Sequence, residues 1–154
     1  MKILMVCLGN ICRSPMADGI LREKIKKYQL PIEVDSAGTA AYHVGEAPDG
    51  RMQETGIKNE VDISSLRARQ FMVKDFDDFD IIFAMDQSNF DNIKRLSRSP
   101  SDMSKVRLML NESFPGRNLE VPDPYYGGKE GFQQVFDMLD EAINAFLKKE
   151  FNVG

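Results

Sequence analysis

Apolar and polar positions alternate along the chain with periods that change from segment to segment. Lys2-Ile-Leu-Met-Val6 is a short apolar run, which predicts a buried, central strand of a parallel sheet. Met16, Ile20, Leu21, Ile25 and Tyr28 then recur at helical spacing. Ser14-Pro15 ahead of them predicts a helix start, with Ser as N-cap and Pro at the first helical position. Pro31 ends that helix, and Ile32 to Ser36 alternates like a strand. Residues 37–48 are small and polar and predict a loop; 49–58 predicts a short helix; 62–76 fits neither period. Phe79 to Met85 predicts a second core strand, Ser88 to Leu96 a helix and Val106 to Leu110 another strand. Residues 111–127, with Pro115, Gly116, Pro122, Pro124 and Gly127, predict a loop. Phe132, Val135, Phe136, Leu139, Ala142, Ile143, Phe146 and Leu147 form one apolar stripe of a final helix.

Strands alternating with helices predict a parallel sheet joined by right-handed crossovers. The expected fold is one doubly wound α/β domain spanning residues 1–154. In such sheets ligands bind at the carboxyl ends of the strands, so the loop after the first strand is the place to look for chemistry.

Composition narrows the choices. With 42% hydrophobic and 29% charged residues, the chain is able to bury a core. The longest apolar run, Ile3 to Leu8, is six residues, far too short to span a bilayer. It lacks the layout of a signal peptide, so a soluble, cytoplasmic monomer is expected. Twenty Lys and Arg against 24 Asp and Glu give a formal charge of −4, which argues against nucleic acid as the partner. Two cysteines and one histidine are too few for a zinc site of the common kinds, and no metal or other cofactor is expected. Neither a G-x-S-x-G elbow nor a Walker phosphate loop is present.

Cys7 to Ser14 lies between the first strand and the first helix. A tight turn there aims successive N–H groups inward as an anion nest. Gly9 is expected to take backbone angles closed to other residues. The helix N-terminus adds its positive end. Phosphate is the dianion that suits such a site, and Arg13 offers a planar fork for two of its oxygens. Leu8, Gly9, Asn10, Ile11, Cys12, Arg13 and Ser14 are therefore the expected phosphate-binding segment, and Cys7 the nucleophile beside it. Asp123, bracketed by Pro122 and Pro124, follows the fourth predicted strand and is placed to act as general acid. Tyr125 and Tyr126 are flat surfaces beside it for an aromatic leaving group. His43 has no evident acid–base partner and reads as an exposed loop residue.

Val6-Cys-Leu-Gly-Asn-Ile-Cys-Arg-Ser-Pro15 resembles the phosphate loop of the low-molecular-weight protein tyrosine phosphatases. Asp35-Ser-Ala-Gly-Thr39, Ala84-Met-Asp-Gln-Ser-Asn89 and Asp123-Pro-Tyr-Tyr-Gly127 resemble other stretches of that family, in the same order. The resemblance implies a flavodoxin-like, four-stranded parallel sheet with helices on both faces. It implies metal-independent hydrolysis of phosphotyrosine or aryl phosphates through a cysteinyl-phosphate. It also implies that Tyr42 lines the substrate cleft, that Ser14 stabilises the departing Cys7 thiolate, and that Asn10 braces the loop through contacts including Ser36. Cys12 is implied as the redox partner of Cys7. Leu66 stands where many members carry a His associated with the network behind the loop, which bears on how Asn10 is held.

Two alternatives compete. Protein-arginine phosphatases of this fold tend to have Thr where Ile11 stands and lack the paired tyrosines. A non-catalytic phosphate- or phosphopeptide-binding module would be expected to lack Cys7, Arg13 or Asp123. Related arsenate reductases need downstream cysteines, and none follows Cys12.

Overall fold

In the computed structural model, which describes residues 1–153, four parallel strands form one sheet in the order β2-β1-β3-β4. The strands are β1 (Lys2–Cys7), β2 (Glu33–Gly38), β3 (Ile81–Ala84) and β4 (Val106–Leu108). The helices are α1 (Arg13–Tyr28), α2 (Gly50–Lys58), α3 (Asp75–Asp78), α4 (Gln87–Leu96), α5 (Pro100–Met103) and α6 (Lys129–Phe151). This is the expected doubly wound sheet. The chain adds β2 on one side of β1 and then returns to the other side for β3, which puts the topological switch beside β1.

Alternation along β1 explains why both faces of the sheet are covered. Ile3, Met5 and Cys7 face one apolar core with Met16, Ile20 and Leu21 of α1 and Phe132, Leu139 and Phe146 of α6. Leu4 and Val6 face the other, with Phe71, Phe76 of α3 and Ile93 of α4. An unbroken apolar run is what a strand buried on both faces requires.

Several boundaries differ from the sequence expectation. β3 is shorter than Phe79 to Met85, and β4 stops at Leu108. β4 is an edge strand whose only partner offers three positions, Ile82 to Ala84, so Met109–Asn111 turns into a 3-10 helix instead. Segment 62–76 is largely irregular, touching the sheet through one bridge, Gly38 to Gln70, before α3. Ser14 does not cap α1: the N-cap is Cys12, without a side-chain bond, and Ser14 is already inside the first turn. None of the helices among the described residues is long and apolar enough to cross a membrane.

Candidate active site

β1 ends at Cys7 and α1 starts at Arg13, so residues 8–12 curl across the carboxyl edge of the sheet at the switch point. The loop's carbonyls are tied to neighbours. Cys7, Leu8 and Ile11 accept from the N–H groups of Thr39, Ala40 and Asp49 at 2.9, 2.9 and 2.8 Å. The amides of Leu8 to Cys12 meet no protein acceptor among the described residues. Converging, unspent amides at a helix N-terminus make an anion site.

The backbone reversal falls on Asn10, with φ of 57°, and not on Gly9, whose φ is not positive. Asn tolerates that region because its short amide bonds locally. Here Nδ2 donates to Ser14 Oγ at 2.8 Å and to Ser36 Oγ at 2.9 Å, while Oδ1 accepts from Arg69 N–H at 3.0 Å. Asn10 is thus held without the histidine that Leu66 replaces, and Leu66 packs against the core. What Gly9 supplies is space, since a Cβ there would stand 3.0 Å from His43 Cδ2. Gly38 does the same from behind: its Cβ would meet Leu8 O at 2.7 Å.

Cys7 is buried, and its Sγ lies 3.0 Å from Ser14 Oγ. Ser14 Oγ accepts from Asn10 Nδ2, and its one proton is shared between the Cys7 sulfur at 3.0 Å and Ala37 O at 3.4 Å. Arg13 is also buried, with Nη1 donating to Asp86 Oδ2 at 2.6 Å and to Val121 O at 3.1 Å. Burial works against its charge, but Cys7, Asp86 and Asp123 more than offset this and raise the guanidinium above its ordinary value. Nη2 lies 3.8 Å from Asp123 Oδ2. Burial, with Asp49, Cys7 and Asp123 adding to it, pushes the Cys12 thiol well above its ordinary value, so it stays protonated.

A cavity of about 290 Å³ opens over the loop. Cys7, Leu8, Gly9, Ile11, Cys12 and Arg13 line it from below, with Asp123, Tyr42, His43, Tyr125 and Tyr126 around the rim. Asn10 and Ser14 brace the loop and do not line this cavity. The Tyr125 and Tyr126 rings meet edge to face at 4.9 Å, and Tyr126 and Tyr42 are 92% and 75% exposed, free to receive a large partner. His43 departs from expectation. It is a half-buried rim residue whose Nδ1 lies 3.0 Å from Glu46 Oε2. Sequence spacing carried no sign of this, nor of Asp86 as the anchor of Arg13. Among the described residues no three His, Cys, Asp or Glu side chains are grouped to hold a metal ion.

The model of the low molecular weight phosphotyrosine protein phosphatase family matches residues 2–152. The chain belongs to that family. It is 44% identical over 150 residues to the low molecular weight phosphotyrosine protein phosphatase of Schizosaccharomyces pombe, covering 96% of this chain and 95% of the relative. A protein tyrosine phosphatase from Entamoeba histolytica, crystallised with Hepes in its active site, superposes with a TM-score of 0.90. The two are 38% identical, covering 99% of this chain and 98% of the other. A Drosophila arginine phosphatase has a TM-score of 0.91 at 34% identity, covering 98% of each chain. As a member of this phosphatase family, the chain is a hydrolase.

Proposed function

We propose that this protein hydrolyses phosphotyrosine in proteins through a cysteinyl-phosphate, without a metal. One observation carries the reading: Cys7 and Arg13 line one cavity together with residues of the loop whose amides have no protein acceptor among the described residues. The phosphoryl oxygens bind the amides of residues 8–12 and Arg13, which holds the phosphorus against Cys7. Cys7 attacks, the P–O bond to the tyrosyl oxygen breaks, and Asp123 supplies the proton to that oxygen. Water then attacks phosphorus, giving its proton to Asp123 and releasing Cys7, whose sulfur is stabilised by the Ser14 hydroxyl. The nucleophile has to be reduced to work, which fits a cytoplasmic setting. The reading takes the protein as a monomer that binds its substrate through Tyr42, Tyr125 and Tyr126.

Two measurements test it: turnover of an aryl phosphate in EDTA, and turnover by Cys7→Ser. Metal-independent hydrolysis that vanishes in Cys7→Ser is the expected result. Substantial residual turnover in that variant would sink the mechanism.

A second reading, an arginine phosphatase, is favoured by the similarity to the Drosophila enzyme of that name. Ile11 and the edge-to-face Tyr125–Tyr126 pair favour an aromatic leaving group instead. Rates on phosphotyrosyl peptides exceeding those on phosphoarginyl peptides by orders of magnitude support the first reading. Comparable rates move the assignment to the second.

A further inference from the structure

Arg51, in the first turn of α2, lies outside the cavity, yet it is held on three sides. Its Nε and Nη2 meet Asp49 Oδ1 and Oδ2 at 3.1 and 2.9 Å. Its Cζ stands 5.4 Å from the centre of the Tyr125 ring and 4.8 Å from that of Phe132. Both ends of this arrangement reach the site. Asp49 N–H donates to Ile11 O of the phosphate loop at 2.8 Å. Tyr125 N–H donates to Asp123 Oδ1 at 3.0 Å. A continuous series of contacts, Ile11–Asp49–Arg51–Tyr125–Asp123, therefore joins the phosphate loop to the acid loop by a route that bypasses Cys7 and Arg13.

The acid loop has few other holds. Val121 fastens its start, with N–H donating to Met85 O at 2.9 Å. From Pro122 to Gly128 the hydrogen bonds among the described residues stay within the segment or pass to Gly131: Tyr125 to Asp123, Gly127 to Pro124, and Gly131 to Gly128. Besides the buried Pro124 and the 3.8 Å approach of Arg13 Nη2 to Asp123 Oδ2, the loop is held by ring contacts of Tyr125, with Arg51 on one side and His43, at 6.4 Å between ring centres, on another. A planar guanidinium fixed by a two-point carboxylate pair suits this task, because it presents a flat face that a lysine lacks.

We infer that Arg51 is a positioning residue for the general acid: locked on Asp49, it clamps the Tyr125 ring and so sets where Asp123 stands over the phosphate loop. This rests on Asp123 being the proton donor, as proposed above.

The test compares phenyl phosphate, a poor leaving group, with p-nitrophenyl phosphate, a good one. Arg51→Met is expected to lower kcat on phenyl phosphate about tenfold more than on p-nitrophenyl phosphate, part of the roughly 10²–10⁴-fold that a well-placed acid contributes. Inhibition by inorganic phosphate should stay unchanged, which shows the phosphate loop intact. Arg51→Lys should behave like Arg51→Met. Introduced into Asp123→Asn, Arg51→Met should add no further selectivity between the two substrates. Equal losses on both substrates, full activity in Arg51→Lys, or an undiminished effect in the Asp123→Asn background would each overturn the clamp. If Asp123→Asn alone shows no leaving-group dependence, the acid assignment itself has failed. If Asp123→Asn shows it and Arg51→Met does not, only the clamp has.

Discussion

Arg13 Nη1 donates to Asp86 Oδ2 at 2.6 Å, and that one bond ties the first residue of α1 to the N-cap of α4. Asp86 has two tasks, because its other oxygen accepts from Asn89 N–H at 2.7 Å and caps the helix. Asn caps a helix about as well as Asp, so Asp86→Asn removes the charge and spares the cap. A hydrogen bond to a charged group contributes about 1.5–3 kcal/mol. If most of that goes into orienting the fork, kcat/KM should fall about 10–100-fold while thermal stability changes little. An unchanged kcat/KM would show that Val121 O alone orients Arg13.

Of the two tasks expected of Ser14, capping α1 and stabilising the Cys7 thiolate, the structure removes the first. Ser14 makes no capping bond to α1, and its hydroxyl stands against Cys7. Ser14→Ala should therefore slow turnover while leaving inorganic phosphate binding in place. The release of Cys7 from the cysteinyl-phosphate should be the step most affected, seen as a larger burst of phenolate before steady state. A variant that loses stability but keeps full turnover would return Ser14 to a purely structural part.

Asp123→Asn should slow phenyl phosphate far more than p-nitrophenyl phosphate, since the second phenolate leaves readily without a proton. The alkaline limb of the pH profile should flatten in the same variant. Equal losses on both substrates would reject the acid role and turn attention to Asp86.

Peroxide should inactivate the enzyme reversibly. Cys7, oxidised to a sulfenic acid, condenses with the Cys12 thiol to a disulfide and water, and a dithiol reductant restores both. Cys12 lines the same cavity as Cys7, and both are free thiols. In Cys12→Ser the sulfenic acid has no such trap, and part of the activity should be lost beyond rescue. Complete recovery in that variant would reduce Cys12 to packing.

Asp18 gives a pH-dependent stability with a definite sign. It is fully buried, Arg22 Nε lies 2.5 Å from its Oδ1, and its Oδ2 has no hydrogen-bond partner among the described residues. Burial raises its pKa in the fold despite the opposing pull of Arg22. The folded protein therefore holds the proton more tightly than the unfolded chain. Stability from this group is present below the ordinary carboxyl value of about 3.9 and is lost as pH rises through the higher folded value. The Tm of Asp18→Asn relative to the parent should rise from pH 4 to pH 7. A pH-independent difference would mean that the Asp18 proton affinity is unaltered by folding.

The elements with strong periods were legible in the sequence because period and burial are local consequences of composition. β1 and α6 are the clearest, each with an apolar pattern that admits one arrangement. The phosphate loop was legible as well, because seven residues contiguous in the chain, Cys7 to Arg13, carry the sulfur, the amides and the guanidinium. Contacts between distant segments were not. Asp86 is 73 residues from Arg13, and nothing in either neighbourhood announces the pair. The conformation at Asn10 and the clearance at Gly9 depend on Arg69, Ser36 and His43, which the crossovers bring to the loop. Local sequence decided which groups exist and which strand, turn or helix carries them. Only the packing of the sheet decided which carboxylate faces Arg13 and which ring faces Arg51, because hydrogen bonds and ring contacts depend on ångström distances that chain spacing does not encode.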